Sequence, residues 1–415
     1  MGALKTISTS GFARSAVALV LAASPLQAQS EAGQELEASL VVVSSGEDAI
    51  ALYDPASGEQ RALFRVGSGP GSAAVSSDGR TAVVALRGHA LAGNSICVVD
   101  LHAAAIVRTI PLTTRTFKAD GTTVVHSYHR PEDVLFLPGE ARVLVSCAAE
   151  GALLLVDLLQ KEVVSVAELG QGGAEEVVLG HDGKLAFVTN RREGTVYAVR
   201  LATMTVVKRM DAGGGASGVA IHPTRNELWV TNSATNTISV IDCEELKERI
   251  EFPCGAMPVD IAFTPDGRSA LVVNYQEGNV SVIDARSLRV RALVKVPDVS
   301  EERVRTRPVA EPVAFRRSAL PSCVAMDPSG ARAWVTVERG DLIHEVDLSS
   351  WKITRSHASP RAPAHVSRSG MTPEALTSPI VPIAPVGGPG GVSTDPWERS
   401  FPDGGTLAPP AGETR

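Results

Sequence analysis

Three carboxylates recur at one position of a repeat about 42 residues long, and they offer the clearest chemistry in this sequence. They are Asp133, Glu176 and Asp260, and the same position holds Ser72, Gly218, Cys323 and Pro363 in other repeats. Converging carboxylates can bind a divalent cation such as Ca²⁺ or Mg²⁺. They can also raise one another's pKa, so that one acid keeps a proton for acid–base chemistry. The alternative is that Arg130, Arg115 or water neutralises each acid separately.

A second group of reactive side chains lies between two repeats, in residues 112–130. It consists of Arg115, Lys118, His126, Tyr128, His129 and Arg130. The spacing of His126 and His129 occurs in metal sites, but the segment is predicted as a loop, and two histidines are too few ligands without a third. Hydrogen bonds that fix the segment on its scaffold are the alternative. His89, in a shorter insertion, is expected to face the same region.

The repeat itself predicts an all-β fold, because a unit of this length holds the four short strands of one propeller blade. The third strand of each unit ends in an apolar pair and usually an Asp whose carboxylate can accept N–H groups of the next turn. Seven such markers predict seven blades: Asp54, Asp100, Asp157, Arg200, Asp242, Asp284 and Asp347. Arg200 breaks the pattern, so its turn must close differently.

Three insertions interrupt the repeat, at residues 87–94, 112–130 and 297–319. The first joins a second strand to a third strand, and the other two link successive blades. In a propeller both kinds of connection open on one face. Because function commonly resides in loops carried by a rigid scaffold, this face is the expected location of a site. His181 and His222 fall in turns of the opposite face and are interpreted as structural.

The two ends of the chain lie outside the repeat. Residues 1–28 read as a signal peptide, with Lys5 and Arg14 before the short apolar run 16–23, and residues 29–39 as a linker. The propeller is expected over residues 40–370. Residues 371–415, rich in Pro and Gly, read as a disordered tail.

The first blade has no innermost strand next to residues 40–44, where its second strand is predicted. Residues 361–370, which include His365, resemble an innermost strand, so the C-terminal segment is expected to complete the first blade. Such closure would remove exposed strand edges.

Composition narrows the class of protein. The net charge of −7 does not support nucleic-acid binding, which requires a basic surface. Outside the leader no segment is long and apolar enough to span a bilayer. Because the leader reads as a signal peptide, an exported protein, periplasmic or secreted, is expected, and a monomer. The five cysteines show no metal-type pairing and are expected to be mostly buried free thiols. No Cys-x-x-Cys-His motif for covalent haem is present.

The runs Phe187-Val188-Thr189-Asn190 and Trp229-Val230-Thr231-Asn232 closely resemble the YVTN repeat family. With degenerate copies the resemblance extends over residues 40–370. It implies a β-propeller related to surface-layer proteins, lactonase-like propellers and the haem-binding propeller of cytochrome-cd nitrite reductases. The motif is specific for the fold and says little about chemistry.

Three functions remain open from the sequence. The first is a binding scaffold, without catalysis, that uses the insertion-bearing face for a protein, glycan or small ligand. The second is a lactonase-like hydrolase, in which Asp133, Glu176 and Asp260 hold a cation that polarises the ester and His129 moves protons. The third is a noncovalent haem or redox propeller with His89, His129 or His365 as axial ligand.

Overall fold

The computed structural model describes residues 18–20, 39–139, 141–298 and 319–361, and these residues contain thirty strands and no helix. Seven antiparallel sheets of four strands form the blades, and consecutive strands pair from the innermost to the outermost. Blades one to three consist of β1 (Ala18–Val20), β2 (Ser39–Ser44), β3 (Ala49–Tyr53), β4 (Gln60–Arg65); β5 (Pro70–Val75), β6 (Thr81–Gly88), β7 (Ala92–Asp100), β8 (Ala105–Pro111); β11 (Pro131–Phe136), β12 (Arg142–Cys147), β13 (Ala152–Asp157), β14 (Glu162–Glu168). Blades four to seven consist of β15 (Ala174–Leu179), β16 (Leu185–Asn190), β17 (Thr195–Arg200), β18 (Thr205–Asp211); β19 (Ala216–Ile221), β20 (Glu227–Asn232), β21 (Thr237–Asp242), β22 (Lys247–Pro253); β23 (Pro258–Phe263), β24 (Ser269–Asn274), β25 (Asn279–Asp284), β26 (Arg289–Lys295); β27 (Pro321–Met326), β28 (Arg332–Val337), β29 (Leu342–Asp347), β30 (Lys352–Ala358). The seven-bladed prediction is confirmed.

The middle strands of each blade are buried on both faces, because neighbouring blades cover them. They therefore read as nearly continuous Val, Ile, Leu and Ala, as in β16 and β17, whereas outermost strands such as β18 are mostly exposed. Each hydrophobic cluster lies between successive blades, and one cluster joins blades seven, one and two. The apolar packing thus continues around the whole ring.

The turn after each third strand forms as the sequence indicates. In six blades the Oδ1 atom of the marker Asp accepts the N–H groups two and three residues later, as Asp54 does from Ala56 and Ser57. At Arg200 the turn closes instead through the N–H of Thr203, which donates to the Arg200 carbonyl. The different closure expected there is confirmed.

The first blade differs from expectation at its innermost position. There β1 pairs antiparallel with β2, with Ala18 opposite Val41 and Val20 opposite Ser39. Residues from the expected leader therefore occupy the place that was assigned to residues 361–370. Of that C-terminal segment the structure describes only Arg361, and its remainder and the tail lie outside the described residues.

The two described insertions are β-hairpins. The first lengthens β6 and β7, so that Gly88 faces Ala92. The second, predicted as a loop, is a separate two-stranded sheet of β9 (Thr113–Phe117) and β10 (Thr123–Ser127). Its Thr- and Val-rich runs favour strands, and Gly121 takes the left-handed conformation in the connecting turn. The third insertion, at residues 297–319, lies almost entirely outside the described residues.

Candidate functional site

The start of each innermost strand and the end of the second strand meet on one face of the ring. In five blades the residue after the second strand donates its N–H to the carbonyl just before the innermost strand, as Ala148 does to Arg130. In blade two Arg87, near the end of the lengthened β6, makes the equivalent contact with Gly69. Both hairpin insertions extend from this end, which is here called the insertion face. The described insertions therefore share one face, as the sequence predicts.

The three recurrent carboxylates lie in the innermost strands, each at a β-bulge near the start of its strand. Asp133, Glu176 and Asp260 are at most 3% exposed. The bulge turns each carboxylate toward the innermost strand of the next blade, because the extra residue changes the direction of the side chain. Their environment is therefore the seam between blades.

Each carboxylate accepts a backbone N–H from the next blade at the same relative position. Asp133 Oδ2 accepts from the N–H of Val177 at 3.1 Å, and Glu176 Oε2 accepts from the N–H of Val219. Asp260 Oδ2 accepts from the N–H of Val324 at 2.8 Å. These contacts link blades three to four, four to five and six to seven, because the acceptor side chain and the donor N–H recur with the repeat.

Side chains reinforce two of these links. Ser72 Oγ of blade two donates to Asp133 Oδ1 at 2.7 Å, and the Cys323 thiol of blade seven donates to Asp260 Oδ2 at 2.7 Å. A hydrogen bond to a carboxylate is stronger than one between neutral groups, and burial increases the difference. Amides, a hydroxyl and a thiol are thus among the hydrogen-bond donors to these carboxylates.

Blade five explains the exception at Gly218. A Cβ atom there would lie 2.7 Å from the Val259 carbonyl oxygen and 2.8 Å from the Asp260 Cα, so only glycine fits. Without a side chain, blade five cannot accept the N–H of Ile261 in blade six. That N–H donates instead to Oδ1 of its own neighbour, Asp260, at 2.8 Å.

The Thr of the repeated Val-Thr-Asn motif lies on the second strand, opposite the bulge of the innermost strand. Thr189 Oγ1 accepts the N–H of Glu176 at 3.0 Å and donates to the Ser217 carbonyl of the next blade at 2.7 Å. Ser146 and Thr231 accept the corresponding N–H groups of Asp133 and Gly218. The hydroxyl therefore satisfies a backbone group that the bulge removes from the strand ladder.

The repeated Asn residues also have structural partners. Asn190 Nδ2 donates to the carbonyls of Leu169 and Gly172, and Asn274 Nδ2 donates to Asn279 and Ser281. These side chains therefore act in local hydrogen bonding at the ends of the second strands.

Two histidines of the insertion face pair with a nearby acid. His89 Nε2 lies 2.7 Å from Asp48 Oδ1, and His129 Nδ1 lies 2.8 Å from Glu150 Oε1. His126 lies on β10 opposite Thr114. No group of three or more His, Cys, Asp or Glu side chains among the described residues could hold a metal ion. His365 lies outside those residues.

Arg130 contacts a different acid from the one expected. Its Nη2 atom donates to Glu132 Oε1 at 3.3 Å, and Arg87 Nη1 donates to Glu132 Oε2 at 3.4 Å. Arg130 itself takes a left-handed backbone conformation, with φ of 53°, immediately before β11. Arg115 lies far out on β9 and has no ion-pair partner among the described residues, so it does not neutralise the carboxylates.

These positions do not fit the catalytic arrangement proposed from the sequence. The hydrolase and the cation site require convergence of Asp133, Glu176 and Asp260, whereas each is directed at a neighbouring strand. His129, the proposed proton carrier, is paired with Glu150. The three carboxylates occupy equivalent places in their blades, and each accepts an N–H group of the following blade.

None of the five cysteines forms a disulfide, as expected, and four of them are buried. Burial raises the pKa of Cys97 to about 11 and that of Cys243 to about 12. A thiol is a poor nucleophile when its pKa is raised, so these two groups do not indicate catalysis.

The most exposed apolar side chains of the insertion face were missed by the sequence analysis. Leu91 at the tip of the β6–β7 hairpin is 87% exposed, and Phe117 and Val125 on the β9–β10 hairpin are 79% and 56% exposed. Arg115 faces Val125 and Phe117 faces Thr123 across the two strands. These four residues, Arg115, Phe117, Thr123 and Val125, form one outward surface, here called the hairpin face. Period-two alternation in both runs was the available signal.

A groove of about 480 Å³ lies on the opposite face, between blades two and three. Val107, Phe136 and Leu159 give it an apolar lining, with Asp78 and Arg108 at its polar positions. No residue singled out from the sequence as a site candidate lines it.

The fold and the hairpin face define the class of protein. It is a seven-bladed β-propeller that carries two hairpin extensions, with exposed apolar side chains, on one face. Among the described residues no helix is long and apolar enough to cross a membrane. No family model matches the chain.

Similarity to known proteins is partial. The chain is 25% identical over 126 residues to the uncharacterized protein YncE of Salmonella typhimurium and to that of Salmonella typhi, over 29% of this chain. The match spans 35% of the length of each of these curated relatives. It is consistent with a YVTN-type propeller.

Two solved structures share the fold. Hydrazine synthase of Kuenenia stuttgartiensis superposes with a TM-score of 0.56 at 17% identity, covering 71% of this chain and 88% of that chain. A functionally unknown protein from Desulfotomaculum acetoxidans gives a TM-score of 0.60 at 12% identity, covering 79% and 99%. At these identities the likeness concerns the fold alone.

Proposed function

We propose that this protein is an exported binding scaffold of the YVTN-repeat type, which engages a partner protein through its insertion face. The observation that carries the proposal is the exposure of Leu91, Phe117 and Val125 on the two hairpins that rise from this face. The other strongly exposed large apolar side chains of the described residues lie on outermost strands or, as Leu159 does, in a turn of the opposite face. The match to YncE supports the repeat type.

The chemistry of the hairpin face fits a protein surface better than a small ligand. Its four side chains are exposed on a two-stranded hairpin, whereas a small-molecule site is a concavity. Aromatic residues and Arg are enriched in protein interfaces, and Phe117 stands beside Arg115 there. Neither Arg115 nor Lys118 has an ion-pair partner among the described residues. An apolar surface flanked by acidic side chains is therefore the complementary partner.

Loss of the exposed rings is expected to abolish partner capture. The double variant Phe117→Ser, Val125→Ser removes the apolar contacts but no buried group, so the blades remain folded. Partner recovery after in situ crosslinking of exported protein, quantified by mass spectrometry, is expected to fall at least about tenfold, because central apolar residues dominate interface energies.

The matched control is Leu159→Ser, which removes a side chain that is 76% exposed on the opposite face. This variant is expected to capture the same partner at the wild-type level. Equal recovery by the hairpin variant and the wild type would contradict the proposal, and loss in both variants would indicate non-specific adhesion of exposed apolar residues.

A further inference from the structure

The groove between blades two and three opens on the face opposite the hairpins and has a volume of about 480 Å³. Small-molecule sites have volumes of about 300–1,000 Å³, with apolar walls and a few polar groups. Val107, Phe136 and Leu159 contribute apolar walls here, and the carboxylates of Asp78 and Asp100 are among the polar groups. The groove therefore has the size and lining of a small-ligand site.

The equivalent space between blades five and six is filled by protein side chains. His222, directly after β19, packs against Phe263 with ring centroids 4.9 Å apart. Its Nε2 atom lies 2.9 Å from the carbonyl oxygen of Gly267. Arg225, in the same turn, donates through Nη2 to the carbonyl of Ala285 at 2.8 Å. These two side chains bridge the turns of neighbouring blades.

Blade two carries small residues at the same two positions. Ser76, directly after β5, stands where blade five has His222. Gly79 stands where it has Arg225, four residues after the innermost strand. Phe136, the last residue of β11, consequently lines the groove instead of packing against an imidazole. The groove is open because these substitutions remove the side chains that fill the space in blade five.

A third difference leaves a carboxylate without its usual partner. In blade five, Arg249 stands seven residues after the marker Asp242 and donates through Nη2 to its Oδ2 atom. Blade one repeats this contact. Blade two has Val107 at this position. Asp100 Oδ1 accepts two N–H groups of its own turn, but its carboxylate forms no ion pair among the described residues.

The charges that line the groove favour a cation. Asp78 and Asp100 provide two carboxylates, and Arg108 provides one guanidinium. The Arg108 Nη1 atom is directed at the carbonyl of Leu158, at 3.4 Å. A cationic ligand can therefore take the place beside Asp100 that an arginine of the chain takes in blade five.

We propose that this groove binds a small organic cation, in which a guanidinium or amine is joined to an apolar body. The cationic group bonds to Asp100, and the apolar body lies against Phe136, Val107 and Leu159. Such a ligand supplies the cation and the ring that protein side chains supply between blades five and six. The site lies on the face opposite the hairpins, so it is independent of the partner capture proposed above.

Benzylguanidine tests the site, and benzylurea is its uncharged isostere. Isothermal titration calorimetry of the full chain is expected to show saturable binding of benzylguanidine at one site. Benzylurea is expected to bind at least about tenfold more weakly, because it cannot form a charge-assisted hydrogen bond with the carboxylate. No saturable binding at millimolar benzylguanidine, or equal affinity for the two compounds, would overturn the proposal.

Asp100→Asn removes the charge and keeps an oxygen that can accept the N–H groups of the turn. The affinity for benzylguanidine is expected to fall at least about tenfold. Asp54→Asn, the same change at a marker whose carboxylate is already bound by Arg61, is the control and is expected to bind like the wild type. Wild-type affinity in Asp100→Asn would rule out the proposed contact.

Val107→Arg restores the arginine that blade five has at this position. Its guanidinium is expected to bond to Asp100 and fill the groove, so that benzylguanidine binding is lost while the melting temperature stays at or above that of the wild type. Val207→Arg, at the equivalent position of blade four, is the control and is expected to retain binding. Undiminished binding in Val107→Arg would show that the cation binds elsewhere and refute the assignment.

Discussion

At the scale of single residues, His344 shows how burial sets protonation in this fold. Its Nδ1 lies 2.7 Å from Ser356 Oγ, and its Nε2 is buried without a hydrogen-bond partner among the described residues. Burial, and to a smaller extent the charge of the nearby His357, lower the pKa of His344 to about 4. The imidazole is therefore neutral in the folded protein near pH 7.

This pKa predicts acid sensitivity. Between pH 6.5 and about 4 the unfolded chain binds a proton at His344 that the folded protein does not, so stability is complete above pH 6.5 and falls as pH drops through this window. The contribution is up to about 3 kcal/mol. Urea unfolding of His344→Gln at several pH values is expected to show a shallower pH dependence than the wild type.

His102→Gln, at an exposed turn position, is the control and is expected to keep the wild-type pH dependence. An unchanged pH dependence in His344→Gln would show that another group, such as His357, accounts for the acid sensitivity.

At the scale of strands, the buried carboxylates act as ties between innermost strands. Replacing Asp260 by Ala removes the acceptor of the Val324 and Ile261 N–H groups and leaves both buried. Unsatisfied buried donors cost about 1–3 kcal/mol, so Asp260→Ala is expected to lower the free energy of unfolding by at least this amount. Urea unfolding measures it.

Asp120→Ala, on the exposed turn of the β9–β10 hairpin, is the control and is expected to change stability little. Urea unfolding with and without Ca²⁺ distinguishes two roles of Asp260. One is the hydrogen-bonded tie between innermost strands, and the other is the cation site that the sequence left open. Stabilisation of the wild type by Ca²⁺ that disappears in Asp260→Ala would contradict the tie.

The strands also show which features the sequence could predict. Periodicity predicts the blades, and the marker Asp predicts the turn, because both depend on neighbours close in the chain. The direction of the Asp133 side chain could not be predicted, since it depends on a bulge and on hydrogen-bond partners in two other blades. The β9–β10 hairpin was predictable: Asp120-Gly121 between Thr-rich runs is a hairpin signal that the interpretation as a loop overlooked.

At the scale of the whole molecule, the seam between blades seven and one carries distinctive contacts. Tyr53 Oη donates to the Ala358 carbonyl at 2.9 Å, and Arg355 Nη1 donates to the Ala56 carbonyl at 2.7 Å. The His357 ring lies against Gly58, where a Cβ atom would collide with it. These contacts hold the outermost strand of the last blade on the first blade.

Tyr53→Phe is expected to lower the free energy of unfolding by about 1 kcal/mol, because it leaves the Ala358 carbonyl without its donor. Hydrogen exchange is expected to accelerate in β30 specifically. Tyr197→Phe, which removes a hydroxyl bonded to Glu193 within blade four, is the control. It is expected to leave β30 unchanged, and equal acceleration in both variants would contradict a local role for the seam.

The ties between innermost strands have a consequence for how such a ring can change its number of blades. Each carboxylate bonds to a backbone N–H of the following blade, and every residue except proline supplies that group. A duplicated blade would thus arrive with an acceptor for its successor and a donor for its predecessor. No matching side chain has to arise elsewhere, so gain or loss of a whole repeat preserves the links without a compensating mutation.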